Sequence, residues 1–168
     1  MITKTKLHPR NQHLEGYDFG RLVADLPELE VFTTSNPVGQ VTIDFKNPLA
    51  VRMLNRALLK THYNIDFWDI PADYLCPPIP GRVDYIHYLA DLLARSNNQE
   101  IPRGRRVKAL DIGTGASLVY PLTGQSEYGW HFTGVDIDPI ALNSARQIST
   151  LNKLDIDLRQ QDNPENIL

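Results

Sequence analysis

Apolar residues along the chain change period several times, and the changes predict its elements. Phe19, Leu22, Val23 and Leu26 recur at helical spacing, with Asp18 placed to cap the helix and Pro27 placed to stop it. After the turn signal Asn36-Pro37-Val38-Gly39, Val41, Ile43 and Phe45 alternate with Thr42 and Asp44, which predicts a strand buried on one side. Asn47-Pro48, a cap followed by a first-position proline, starts a helix of about four turns with Val51, Leu54 and Leu58 inward and Arg52, Asn55 and Arg56 outward. Between residues 61 and 81, four prolines (Pro71, Pro77, Pro78, Pro80) forbid a long helix. Tyr63, Phe67, Trp68 and Tyr74 in the same stretch are too apolar for water, so it is expected to be an ordered loop packed on the domain. Helical period returns over residues 81–95, where Tyr85, Tyr88 or Leu89, and Leu92 share a side.

After the polar, glycine- and proline-punctuated stretch 96–106, the pattern becomes that of alternating strands and helices. Val107, Ala109, Leu110 and Ile112 form a buried apolar strand; a short helix over 116–122 is expected to be cut off near Pro121. WHFTGVD at 130–136 is a second buried strand. Asp138-Pro139 opens a helix running to about Asn152, with Ile140, Ala141, Ala145 and Ile148 inward, and residues 155–160 form a third strand. Strand, helix, strand, helix, strand is half of a doubly wound parallel sheet, so the fold class is α/β and Rossmann-like, preceded by a mainly helical N-terminal module. The boundary divides the chain into 1–104 and 105–168. Right-handed crossovers place the carboxyl ends of the first two strands, which carry Gly113 and Asp136, on one rim.

That rim holds the candidate chemistry. Gly113 and Gly115, following Asp111, let the chain turn tightly and expose backbone N–H groups to a ligand. A dinucleotide fingerprint would place a third glycine where this chain has Leu118, so close approach to a pyrophosphate is not provided for. Asp136 ends the neighbouring strand, where a carboxylate can accept both hydroxyls of a ribose. A glycine loop and a ribose acid without the pyrophosphate glycine favour S-adenosylmethionine over a nicotinamide cofactor.

Composition narrows this modestly. Hydrophobic content of 42% and charged content of 22% fit a folded domain, and a net charge of −3 does not by itself mark a nucleic-acid binder. Local clusters must carry that case: Lys4, Lys6 and Arg10 among the first thirteen residues, which contain no acid, and Arg103, Arg105, Arg106 and Lys108 before the first sheet strand. Each is either a phosphate-contacting segment or a solvated stretch. The single cysteine, Cys76, makes an internal disulfide and a cysteine-rich zinc site impossible and is expected to behave as a small hydrophobe. No apolar run is long enough to span a bilayer and the N-terminus has no apolar signal core, so a cytoplasmic location is expected.

Four strings together carry a specific resemblance: HPRN at 8–11, FKNP at 45–48, PGRVDYIHYLADLL at 80–93 and LDIGTGASLVYPLTG at 110–124. In these the chain resembles, over essentially its whole length, the ribosomal large-subunit RNA adenine N(6)-methyltransferase F family. Its eukaryotic relatives methylate small nuclear and messenger RNA. The resemblance implies the S-adenosylmethionine-dependent methyltransferase fold and, as donor-site residues, Lys46, Arg82, Asp111, Gly113, Gly115, Ser117 and Asp136. Arg82 would reach the donor's carboxylate, although a surface ion pair with Asp84 or Asp91 is the plain alternative. Lys6, Arg10 and Asn11 would face RNA of the large ribosomal subunit. The family's Asn-Pro-Pro-aromatic motif, which holds the target amino group and stacks the extruded base, does not occur; Asn163-Pro164-Glu165-Asn166 is expected to be a turn. The resemblance therefore implies no catalytic residue among those present, and the motif is expected beyond Leu168. The chain is expected to be the donor-binding part of such an enzyme, inactive alone. A methyltransferase for a small molecule or protein, and a non-catalytic RNA-binding module with a vestigial donor fold, are the rivals.

Overall fold

The computed structural model describes residues 7–162. Three parallel strands, β3 (Lys108–Ile112), β4 (His131–Asp136) and β5 (Asp157–Gln160), lie in that order, with Lys108 opposite His131 and Thr133 opposite Asp157. Helix α4 (Val119–Tyr128) links the first two and α5 (Pro139–Leu151) the second two. The N-terminal elements are α1 (Phe19–Asp25), a 3-10 turn (Pro27–Phe32), the hairpin β1 (Thr33–Ser35) and β2 (Val41–Ile43), α2 (Pro48–Tyr63) and α3 (Ile79–Arg95). The methyltransferase-type half sheet and its helical forerunner are thus both present. Lys4, Lys6, the string Asn163-Pro164-Glu165-Asn166 and Leu168, beyond which the catalytic motif is expected, lie outside the described residues.

Caps fix several helix starts as expected. Asp18, Asn47 and Asp138 each accept a backbone N–H of the first turn of α1, α2 and α5, and prolines stand at the first positions of the latter two. The core is continuous across residue 104. Leu22, Leu29, Leu54, Leu58, Trp68 and Val83 pack with Leu118, Leu122, Ala145 and Ile148, and Ile86 and Ala90 of α3 pack separately with Tyr128, Trp130 and Phe132. Trp68 is buried within the loop that joins α2 to α3, so that loop is indeed ordered and packed.

Several orientations differ from the sequence pattern. α3 buries Ile79, Val83, Ile86, His87, Ala90 and Ala94, while Tyr85, Tyr88 and Leu92 lie half or more exposed, on the opposite side from the one expected. Apolar residues stand all around this helix, so the period was informative and the face was not. In β2 only Ile43 is buried, because the hairpin touches the body at one end and leaves Val41 and Phe45 outside. Asn55 is buried rather than outward, donating to Cys76 Sγ and the Pro77 carbonyl and so anchoring the loop to α2. Ile140 is exposed in the first turn of α5. Pro121 does not end α4 but sits in its first turn, where its missing N–H would have had no partner, and Gly129 in the left-handed region closes the helix instead. Leu110 and Ile112 are exposed because β3 pairs, among the described residues, only with β4.

Candidate functional site

β3 delivers the chain to Gly113 at the carboxyl end of the sheet, and the next three residues fold back over β4. Gly113 and Gly115 have φ of +74° and +66°, the left-handed region, and a Cβ at either would meet nothing within 4 Å. Their requirement is conformational rather than spatial. The Gly113 and Thr114 amides both donate to the Val135 carbonyl, at 2.8 and 3.0 Å. The Gly115 amide donates to Asp136 Oδ2 at 2.8 Å, and the Asp138 amide to Asp136 Oδ1 at 3.0 Å. The two segments therefore lie side by side, with the Asp136 carboxylate held at both oxygens by backbone. Asp111 lies beneath the loop; burial pushes its carboxyl above the usual range, opposed by the Thr114 hydroxyl, which donates to Asp111 Oδ2 at 2.7 Å, and reinforced by the charge of Asp136.

Beyond Gly115 the loop is fixed from outside. The Trp68 indole donates to the Ser117 carbonyl at 2.9 Å, and the Ser144 hydroxyl of α5 lies 3.1 Å from the Ala116 carbonyl. Leu118, fully buried, takes φ +54° and serves as the residue before α4, a left-handed conformation that a leucine adopts only when its surroundings hold it there.

A cavity of about 190 Å³ opens against this loop, lined by Gly113, Thr114, Gly115, Ser117, Val119 and Tyr120 on one side and by Tyr74, Leu75, Pro77 and Arg82 on the other. Arg82 reaches it from the first turn of α3. Its Nη1 donates to the Tyr120 hydroxyl at 2.8 Å, and its guanidinium lies 5.7 Å from the Tyr120 ring centre. The ion pair with Asp84 or Asp91 does not form, because those acids are taken by the N-terminal segment. His8 and Asn11 bind Asp84, while His8 and Arg10 bind Asp91. Tyr74 closes the other end by donating its hydroxyl to Asp138 Oδ2, which pushes its own ionisation up to about 12. A larger, open hollow of about 670 Å³ between residues 15–20 and β2 shares no residue with this rim.

The structure thus brings Arg82, Asp111, Gly113, Gly115, Ser117 and Asp136 to one end of the sheet. Of these, Arg82, Gly113, Gly115 and Ser117 line the cavity, whereas Asp111 and Asp136 support the loop from behind it; Lys46 is exposed in the turn before α2 and does not line the cavity. Arg10 and Asn11 are tied inward: Asn11 is buried, donating to the Pro80 carbonyl and Asp84, and Arg10 donates to the Tyr128 hydroxyl, the His87 carbonyl and Asp91. Tyr74, Trp68 and Tyr120 were missed by sequence reasoning. The aromatics at 67–74 signalled packing, but no local pattern says that a loop's rings will dock on a loop some fifty residues later.

A family model described as RNA methyltransferase matches residues 1–168. The "Ribosomal RNA large subunit methyltransferase F" of Pseudoalteromonas translucida (strain TAC 125) is 62% identical over 165 residues, which cover 98% of this chain and 53% of that protein. The chain spans about half the length of the curated relatives it matches. Among solved structures, the N-terminal domain of human METTL16 in complex with SAH superposes with a TM-score of 0.83 at 31% identity, covering 95% of this chain and 61% of that one. The hMettl16 catalytic domain in complex with MAT2A 3'UTR hairpin 6 gives 0.81 at 32%, covering 95% and 55%.

Proposed function

The chain belongs to the RNA methyltransferase family whose model it matches along its length, and on that premise we propose that it holds the methyl donor for methylation of an adenine amino group in large-subunit ribosomal RNA. The observation that carries this is the Asp136 carboxylate held on the amide of Gly115, a residue that lines the cavity together with Arg82, so that Asp136 stands behind the lining at its edge. S-adenosylmethionine suits these two charged groups. Its ribose hydroxyls are donors for a fixed carboxylate, and its own carboxylate matches a guanidinium fork. When bound it supplies a methyl group activated on a sulfonium.

The chain's own residues act by preorganisation. Backbone N–H groups hold the Asp136 carboxylate aimed, so no reorientation is needed when a ligand arrives. Trp68 and Ser144 fix the loop carbonyls, and Tyr74 ties the α2–α3 loop to the turn that follows Asp136, which encloses the cavity. The role these residues support is donor binding. The RNA-facing segment then lies within 1–104 and the glycine loop and Asp136 within 105–168, while Arg82 and Tyr74 of 1–104 also serve the donor cavity.

For the N-terminal segment, Arg10 keeps a partly exposed guanidinium whose Nη1 has no partner among the described residues, which suits it to a phosphate while its other nitrogens anchor the segment. Among the described residues no helix is long and apolar enough to cross a membrane. We place the protein with its RNA in the cytoplasm.

Titration calorimetry with S-adenosylmethionine tests the reading. Heat of binding is expected for the 168-residue chain and not for Asp136→Ala. Labelled donor with ribosomal RNA is expected to give no transfer. Absence of donor binding by the unaltered chain overturns the donor-site reading, and robust methylation overturns the restriction to donor binding.

A further inference from the structure

Helix α2 carries Arg52, Arg56 and Lys60 at successive four-residue steps, a stripe about 12 Å long on its outer side. Its members are not equivalent. Arg52 is committed to Asp69, its Nε and Nη2 both donating to Oδ1. Neither Arg56 nor Lys60 has a carboxylate of the described residues within 4.0 Å. Glu28 and Glu30, on the 3-10 turn that packs on α2, are exposed and stay beyond that reach. Arg56 is only partly exposed, and its Nε is buried without any acceptor among the described residues. A desolvated guanidinium N–H with no acceptor is costly, and a ligand oxygen or ring nitrogen would relieve it.

Beside that guanidinium lies a cavity of about 290 Å³ lined by Phe32, Leu49, Met53, Arg52, Arg56 and Asp69. It is a little smaller than the roughly 300–1,000 Å³ clefts that hold drug-sized ligands. Its composition is specific: one aromatic ring, a flexible thioether, an exposed leucine, the Arg52 guanidinium paired with the Asp69 carboxylate, and the Arg56 guanidinium without one. Apolar walls and guanidinium planes are what an unstacked nucleobase packs against, and the carboxylate can accept from a base amino group. Of the residues lining it, none lines the cavity beside the glycine loop.

We propose that this face of α2 is an RNA-docking surface, in which Arg56 and Lys60 take consecutive backbone phosphates and the adjoining cavity takes one unpaired base. The inference rests on the RNA side of the function proposed above and names a place for it apart from the N-terminal segment, most of whose polar groups are engaged within the protein. An RNA with a single-stranded loop satisfies both halves of the surface; a fully paired duplex satisfies only the phosphates.

The test measures binding of a fluorescent RNA hairpin and of a fully paired RNA of equal length by anisotropy across a salt series, with donor binding followed separately by calorimetry. For the unaltered chain the hairpin is expected to bind more tightly than the duplex. Arg56→Ala with Lys60→Gln is expected to weaken the hairpin at least tenfold, to flatten the slope of log affinity against log salt by about 1.4–1.8 for two lost contacts, and to remove the preference over duplex. Donor heat is expected to stay unchanged. Lys60→Gln alone, an exchange near the helix surface, covers the case in which the double variant misfolds and is expected to flatten the slope by about half as much. Arg146→Gln, the same charge change on α5, is expected to leave the preference intact. Unaltered affinity and slope in the α2 variants, or equal binding of hairpin and duplex by the unaltered chain, overturns the proposal. Donor binding without any RNA binding overturns it together with the RNA side of the function, whereas RNA binding without donor binding leaves this surface standing and removes the donor site.

Discussion

The Gly115 amide and the Asp136 carboxylate meet at 2.8 Å, joining the end of one sheet strand to the loop that follows its neighbour. Because the second oxygen of Asp136 takes the Asp138 amide, one side chain organises both turns at the rim. Asp136→Ala leaves two backbone donors without their charged acceptor, and a cost of about 1.5–3 kcal/mol in urea unfolding is expected. Donor affinity is expected to fall more than tenfold. Asp136→Asn, which keeps one acceptor oxygen, should lie between the two. Wild-type donor affinity in the alanine variant would remove Asp136 from the site.

Arg82 separates charge from shape. Arg82→Lys retains a cation but not the fork, and about a tenfold weakening of donor binding is expected if the guanidinium grips a carboxylate bidentately. Tyr120→Phe keeps the ring beneath it and removes the acceptor hydroxyl, so a smaller loss, about 0.5–1.5 kcal/mol in binding, is expected by calorimetry. Equal affinity in all three proteins would mean that Arg82 only packs.

Two buried histidines set a pH dependence. Burial, with the nearby charges of His8 and Arg10, lowers His87 to about 4 against the opposing Asp84 and Asp91; burial, with His62, lowers His13 to about 4. Both values fall below the unfolded value of about 6.5, so between these limits the unfolded chain binds more protons than the folded one. Stability is therefore full above about pH 6.5 and declines as pH falls toward 4. Melting temperature is expected to drop between about pH 7.5 and 5, with net proton uptake on unfolding at the lower end. A flat profile there would show that these rings are already charged in the fold.

Two helical glycines should respond oppositely to alanine. A Cβ at Gly124 in α4 would lie 2.5 Å from the Phe132 ring of β4, whereas one at Gly81 in α3 meets nothing within 4 Å. Gly124→Ala is expected to destabilise by about 1–3 kcal/mol through overpacking, and Gly81→Ala to stabilise by about 0.4–1 kcal/mol through helix propensity and the unfolded chain's entropy. Equilibrium urea unfolding of the two variants reads both signs.

What the sequence disclosed follows from how local each signal is. Asp18, Asn47-Pro48 and Asp138-Pro139 act within one turn, and each starts a helix where the residues say it should. The rim was legible because parallel topology leaves the end of β4 no place but beside the loop after β3, which brings Asp136 to Gly115. Facing was legible only where one side is plainly polar. α3 has apolar residues all round, and the chain buries the side with Ile86 and Ala90 against Tyr128 of α4 and Phe132 of β4, a choice set by partners distant in sequence. The docking of Trp68 on Ser117 and the inward turn of Asn55 are likewise long-range and left no periodic trace. The basic segment HPRN reads as a phosphate-contacting or solvated stretch, and its anchoring on Asp84 and Asp91, about two turns apart along α3, is another long-range contact without a local signal.

β3 shows its partnerless flank to solvent together with Leu110 and Ile112 among the described residues. A margin of that kind is adhesive: any extended segment that reaches it can continue the ladder, and two such margins can join each other. Concentrated solutions of the chain should therefore scatter more light than dilute ones, and Ile112→Lys, at the exposed end of that margin next to Gly113, should restore clarity.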